Sequence, residues 1–191
     1  MSLLNKKERF SVIVSEHLCL WPIERQDLTN NYTWANDLEL TRLAGATPLP
    51  RSSQDVEQWF RNLNLNPEQH IFAIKTHEGA YMGNIEFRGL DLRCGCAEIG
   101  IIIGERRFWG QGYGTEAVRS MCRFGFGELR LHRLYANTLS NNPRAARLFE
   151  KCGFTREGTQ RQAYFQDGRY LDIINWGILE EEYRALCSRD K

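Results

Sequence analysis

Glycine falls at every second position from Gly110 to Gly114, between an isoleucine run and the start of a helical pattern. No other feature limits the possible folds as tightly. The stretch runs from Ala97 to Val118, A-E-I-G-I-I-I-G-E-R-R-F-W-G-Q-G-Y-G-T-E-A-V. The apolar run Ile99 to Ile103, with Glu98 at its start, favours a strand because isoleucine is stiff at χ1. A short basic and aromatic turn follows, Glu105 to Trp109. Thr115, Glu116, Ala117 and Val118 then open a helix. Strand, glycine-rich loop and helix start make an anion site: backbone N–H groups are left unpaired, and the helix end adds partial positive charge. Glycine allows close approach of a phosphate and supplies any φ > 0 the turn needs.

The spacing narrows the choice of anion. It is G-x-G-x-G, not the dinucleotide G-x-G-x-x-G, and no acidic residue ends a second strand about 20 residues on. There is no G-K-[ST] for a nucleoside triphosphate. A second stretch, N-N-P-R-A-A-R-L-F-E-K-C-G-F from Asn141 to Phe154, completes the pattern. Together the two stretches resemble the GNAT superfamily of acetyl-CoA-dependent N-acetyltransferases, and within it the RimJ/RimL-like branch. The resemblance covers Leu18 to Tyr183. It implies an α/β (α+β) fold with a mixed, mostly antiparallel central sheet, a splayed parallel pair at the CoA site and flanking helices.

The resemblance also assigns the cofactor site. The family loop Q/R-x-x-G-x-G/A falls on Trp109, Gly110, Gln111, Gly112, Tyr113 and Gly114, with Trp in place of the first Gln or Arg. Their backbone N–H groups, with Thr115, would hold the CoA pyrophosphate. The pantetheine arm would pair with the backbone of Ile101 and Ile103, and Asn142 matches the family Asn that bonds it. Arg106 and Arg107 would reach the 3′-phosphate or form a solvated basic turn. The same two readings apply to Arg144, Arg147 and Lys151; Arg107 and Arg147 are taken as cofactor-binding.

Acetyl transfer requires the amine to lose a proton, the tetrahedral oxyanion to be stabilised and the thiolate to depart. Glu98 is the candidate base: a carboxylate beside isoleucines can be desolvated and its pKa raised. A structural carboxylate paired with an arginine is the competing reading. The general acid departs from the family pattern. Phe149 stands where many members have Tyr, and Ala145 where RimL-like members often have Ser. Tyr164 and Cys152 are the nearby alternatives, and Tyr164 is taken as catalytic; departure of an unprotonated thiolate is the third route. The function expected is direct transfer of an acetyl group to a primary amine, a protein N-terminus or a small amine. A CoA-binding sensor or interaction domain with little catalysis is the alternative.

Bulk properties agree. The chain has 191 residues, 42% of them apolar, enough for one domain with a full core. Residues 1–14 are expected to form an arm and 15–191 a single N-acetyltransferase domain. Formal charge is +1, so no global field points to nucleic acid or an anionic membrane. No stretch approaches the about 18 apolar residues of a spanning helix. The opening M-S-L-L-N-K-K-E-R is charged where a signal peptide needs its apolar centre. A cytoplasmic chain with reduced cysteines is expected. Cys94 and Cys96 lack a second pair, and the four His are scattered singly, so no metal is expected. Expected partners are acetyl-CoA and an amine acceptor, with a homodimer left open.

The remaining elements follow from periodicity and turn residues. Strands are expected at Leu18 to Pro22, His70 to Lys75, Tyr81 to Arg88, Ala97 to Ile103 and Arg133 to Leu139. A hairpin of Thr155 to Phe165 and Arg169 to Ile178 turns at Asp167-Gly168. Asp27 is read as the N-cap of a helix over Leu28 to about Asn36, and a second helix covers Asp37 to Leu43. Ser52 or Ser53 caps a third helix. Helices also start at about Thr115 and at Pro143, the latter with Asn142 as N-cap and Gly153 as its stop. A short helix covers Leu179 to Cys187. Trp34, Leu43 and Trp59 are possible acceptor-pocket residues, or core aromatics and aliphatics.

Overall fold

The isoleucine run lies in the middle of an eight-stranded sheet. The computed structural model describes residues 13–63 and 65–189. The strands are β1 (Ile13–Val14), β2 (Leu18–Pro22), β3 (His70–Thr76), β4 (Tyr81–Asp91), β5 (Cys96–Ile103), β6 (Arg133–Leu139), β7 (Thr155–Gln166) and β8 (Arg169–Leu179). The helices are α1 (Leu28–Ala35), α2 (Leu38–Leu43), α3 (Ser53–Asn62), α4 (Tyr113–Gly127), α5 (Pro143–Lys151) and α6 (Glu180–Arg189). The sheet order is β1-β2-β3-β4-β5-β6-β8-β7, and every neighbouring pair is antiparallel except β5–β6.

That parallel pair opens the sheet. It is registered only over Cys96–Glu98 against Arg133–Tyr135, after which the two strands part. Ile99–Ile103 therefore keep β4 on one side and, among the described residues, have no strand partner on the other. The crossover between the two strands is α4, which packs the sheet through Val118, Met121 and Cys122. On this face Leu18, Ile74, Phe87, Ile99 and Leu134 are fully buried or nearly so. Each contributes on the order of 1.5–3 kcal/mol. The opposite face is covered at one end by α1 to α3 through Ile23, Trp34, Leu40, Ala73 and Tyr81.

Several expectations need correction. Asp27 does not cap α1 with its side chain. Its buried carboxylate instead accepts from Lys75 Nζ at 2.8 Å and from the Glu24 backbone N–H at 2.9 Å. A charge that Lys75 brings to the interior needs this partner, and the long-range pairing overrides the local cap. α4 starts at Tyr113, with Gly112 rather than a side chain at its N-cap. In β2, Leu18, Cys19 and Leu20 are all buried, so the strand is covered on both faces. Ile13–Val14, expected in the arm, pair with Leu20 and Cys19 as β1; the arm's residues 1–12 lie outside the described residues. Trp34 is core: it lies against Gly104, where a Cβ would come within 2.1 Å of its ring. Trp59 packs into the same cluster.

Candidate active site

The glycine loop ends at an uncapped helix. Gly110 and Gly112 hold φ of 74° and 91°, the left-handed region that side chains resist. A Cβ at either would meet nothing within 4 Å, so both face open space. Helices α2, α3 and α5 are closed by the side chains of Asp37, Ser52 and Asn142. α4 has no side-chain cap, which leaves its first-turn N–H groups without an internal partner. Gly114 has a different reason: a Cβ there would stand 2.8 Å from Leu148 Cδ1, so this glycine lets α4 and α5 pack closely.

This helix end opens on a cavity of about 490 Å³. Ile101, Ile103, Trp109, Gly110, Gly112, Gly114, Thr115, Asn142 and Arg147 line it, as do Arg144 and Lys151. Arg144, Arg147 and Lys151 fall on one face of α5 and form no ion pair among the described residues. The cleft thus combines unpaired N–H groups with a row of cations. Arg107, Gln111 and Tyr113 do not line it. Arg107 lies over the Phe108 ring at 4.8 Å, Gln111 Nε2 donates to the Arg107 carbonyl, and the Tyr113 ring meets Phe108 edge-on at 5.4 Å. Arg106 is committed elsewhere, to Asp37 at 2.8 Å and Glu39 at 2.7 Å.

Trp109, which breaks the loop pattern, has a structural role. Its indole Nε1 donates to the Ile103 carbonyl at 2.7 Å, and the Arg144 guanidinium sits 5.0 Å from its ring centre. One carbonyl on the splayed edge of β5 is therefore already occupied. Asn142 is engaged twice: Oδ1 accepts from the Ala145 N–H at 3.1 Å and Nδ2 donates to the Leu43 carbonyl at 3.0 Å.

A second cavity, of about 390 Å³, opens beyond the splay. Leu43, Ala44, Ile101, Ile102, Asn142 and Ala145 line both cavities, so the two meet there. Glu98 and Tyr164 both face the second. Glu98 is half-buried, and its Oε1 accepts from Asn137 Nδ2 at 3.2 Å. Asn137 is held in turn by Asn175, whose Nδ2 donates to its Oδ1 at 2.9 Å. The Glu98 charge also adds, after burial, to what holds the Tyr135 pKa above its ordinary value. Tyr164 donates to the Ala46 carbonyl at 3.2 Å, which ties β7 to the segment after α2. Phe149 lines the same cavity, 3% exposed, with its ring edge-on to Phe154.

Cys152 is not among the residues lining either cavity. It is buried, its thiol donates to the Thr115 carbonyl at 3.6 Å, and burial pushes its pKa up to about 12. Of the three residues read as possible pocket lining, Leu43 faces both of these cavities, and Trp34 and Trp59 line neither. The sequence reading missed Glu86, Arg88 and Asn137. The strand alternation of β4 holds the signal for the first two, since Glu86 and Arg88 share a face with Asn84. Nothing local marks Asn137.

Residues 17–155 match the family model described as an acetyltransferase (GNAT) domain. An uncharacterized N-acetyltransferase of Bacillus licheniformis is 30% identical over 90% of this chain and 97% of its own length. A putative ribosomal N-acetyltransferase of Bacillus subtilis is 30% identical over 60% of this chain and 62% of its own length. The crystal structure of spermidine N-acetyltransferase from Vibrio cholerae in complex with CoA and spermine superposes with a TM-score of 0.81. It is 26% identical, over 87% of this chain and 98% of that one.

Proposed function

The chain belongs to the GNAT acetyltransferase family, and from that membership we propose that it passes the acetyl group of acetyl-CoA directly to a primary amine held in the second cavity. One observation carries this reading: the cofactor cleft and the second cavity share a wall at the splay, where a thioester carbonyl in one would meet an amine in the other. Two reactants held in contact convert a bimolecular step into an effectively unimolecular one.

The cofactor's anionic end binds at the α4 N-terminus and the α5 cations, and its arm runs along Ile101 and Ile103. Glu98 takes the proton of the incoming ammonium, directly or through a water, with Asn137 fixing the carboxylate. The amine nitrogen attacks the thioester carbon, and unpaired N–H groups on the splayed edge of β5 stabilise the oxyanion. The C–S bond then breaks as the adduct's nitrogen gives its second proton to solvent, from which the tyrosine that serves the thiolate regains its own. Tyr164 turns its hydroxyl from the Ala46 carbonyl towards the sulfur and protonates the leaving thiolate. Phe149 has no proton to give, and Cys152 is tied to Thr115.

The likeness to a putative ribosomal N-acetyltransferase supports a protein N-terminus as acceptor and a place in the RimJ/RimL-like branch. The likeness to a spermidine N-acetyltransferase supports a small amine. Both acceptors present a primary ammonium. The test is CoA release with amines, polyamines, aminoglycosides and N-terminal peptides, with products identified by mass. N-acetylated product with sequential kinetics is expected. A stable acetyl-enzyme, or thioester loss without an acetylated amine, overturns direct transfer.

A further inference from the structure

Two carboxylates and one guanidinium line the second cavity: Glu86, Glu98 and Arg88. Arg88 Nε donates to Glu86 Oε1 at 2.7 Å, and Nη2 makes a second contact with the same carboxylate. Gln69 Nε2 donates to the other Glu86 oxygen at 2.6 Å. The guanidinium crosses the sheet face over Gly100, which stands opposite Glu86 in register; a Cβ at Gly100 would come within 3.0 Å of it. Arg88 itself stands opposite Glu98. Burial works against the Arg88 charge, but the Glu86 hydrogen bond and the charges of Glu86 and Glu98 outweigh it and raise its pKa above the ordinary value.

Glu86 is thus neutralised inside the cavity, and Glu98 is its one lining carboxylate without an ion pair among the described residues. Further out, Asp37 and Glu39 are matched to Arg106 and Asp167 to Arg42, while Asp172 accepts from the Gln162 backbone N–H at 2.8 Å. The cavity carries one net negative charge, and the rest of its lining is uncharged, apolar at Leu43, Leu139 and Phe149 and polar at Asn84, Asn137 and Thr138. Resting on the acceptor role proposed above for this cavity, we infer that Arg88 is a specificity-determining residue that restricts the enzyme to acceptors bringing a single ammonium on an uncharged body, because it occupies the carboxylate that a second ammonium would need. A second ammonium in the cavity would find Glu86 already paired and no free carboxylate, so it would lose its hydration without gaining a counter-charge.

The test compares pentylamine with 1,5-diaminopentane, which share a five-carbon body and differ in one charge. The wild-type protein is expected to favour pentylamine by about tenfold in kcat/KM, the cost of bringing a second ammonium into the cavity without a counter-charge. In Arg88→Gln the diamine gains about tenfold, through KM and not kcat, so the preference disappears. Arg88→Lys keeps the charge and keeps the preference. Acetyl-CoA affinity and melting temperature show whether each variant is folded. Equal use of the two amines by the wild type, an unchanged ratio in Arg88→Gln, or loss of preference in Arg88→Lys overturns the assignment. If neither amine is acetylated while acetyl-CoA binds, the acceptor reading of this cavity fails. The charge preference is then read separately, by calorimetric titration of both amines into the CoA complex. Tighter binding of pentylamine upholds it, and equal or reversed affinities overturn it.

Discussion

The two cavities share a wall and are built differently. The polar groups of the proposed cofactor cleft come from two short stretches, the loop from Trp109 to Thr115 and one face of a nine-residue helix, with Leu40, Leu43 and Ile101 to Ile103 closing its walls. Its donors are backbone N–H groups, freed because Gly110 and Gly112 take positive φ and because nothing caps α4. The acceptor cavity draws Glu86 and Arg88 from β4, Glu98 from β5, Asn137 from β6 and Tyr164 from β7. Its working groups are side chains, brought together by strand register. In the proposed reading, cofactor recognition is largely a local property and acceptor recognition a tertiary one. A fold can therefore keep the first while changing the second, one side chain at a time.

The largest effect tests the local half. Gly112→Leu forces a branched residue to φ near 91°, against a cost of about 1–2 kcal/mol, and puts its side chain over the phosphate position. Acetyl-CoA affinity should fall about a hundredfold or more, roughly 2.8 kcal/mol. The usual rise in melting temperature with acetyl-CoA should vanish with it. A folded Gly112→Leu variant that binds the cofactor as tightly as wild type would remove the pyrophosphate from this loop.

That half is also the readable half. The isoleucine run, the positive-φ glycines, Pro143 at the start of α5 and Gly153 after it act within a few residues of themselves. So does the Asn142 cap. The misreadings all involve partners far along the chain. Asp27 reads as the cap of its own helix but belongs to Lys75, and Arg106 looks free for phosphate but is held by Asp37 and Glu39. Gly114 lines the first cavity and also faces Leu148 of α5, a contact that the local pattern does not state. The acceptor cavity is the least legible. Asn137 reaches Glu98 only because β5 and β6 are parallel neighbours, and Arg88 is seated only because Gly100 stands across the ladder. Pairings of this kind depend on register, which no local pattern states.

The next effect concerns proton delivery in the tertiary half. Tyr164→Phe removes the one hydroxyl that this account gives the thiolate. The chemical step should slow by about a hundredfold, the lower end of general acid catalysis. Single-turnover rates measure it. An unchanged rate means the thiolate leaves without help from Tyr164. Phe149→Tyr should give the smallest effect, no gain and a change within about twofold. Phe149 is packed against Phe154, and a buried hydroxyl without a partner costs about 1–3 kcal/mol. A gain of about tenfold, roughly 1.4 kcal/mol of barrier, would show that the wild-type chain lacks a donor and that Tyr164 does not supply one.

The division of labour between the two cavities is tested most directly on a single variant, Glu98→Gln, with two readings from the same protein. Acetyl-CoA affinity by calorimetry should stay within about twofold of wild type, because Glu98 lines the acceptor cavity and not the cofactor cleft. The single-turnover rate at saturating amine should fall by about a hundredfold or more at neutral pH, the size expected for loss of a general base. A rate unchanged across pH, or an affinity loss that matches the rate loss, would contradict the account.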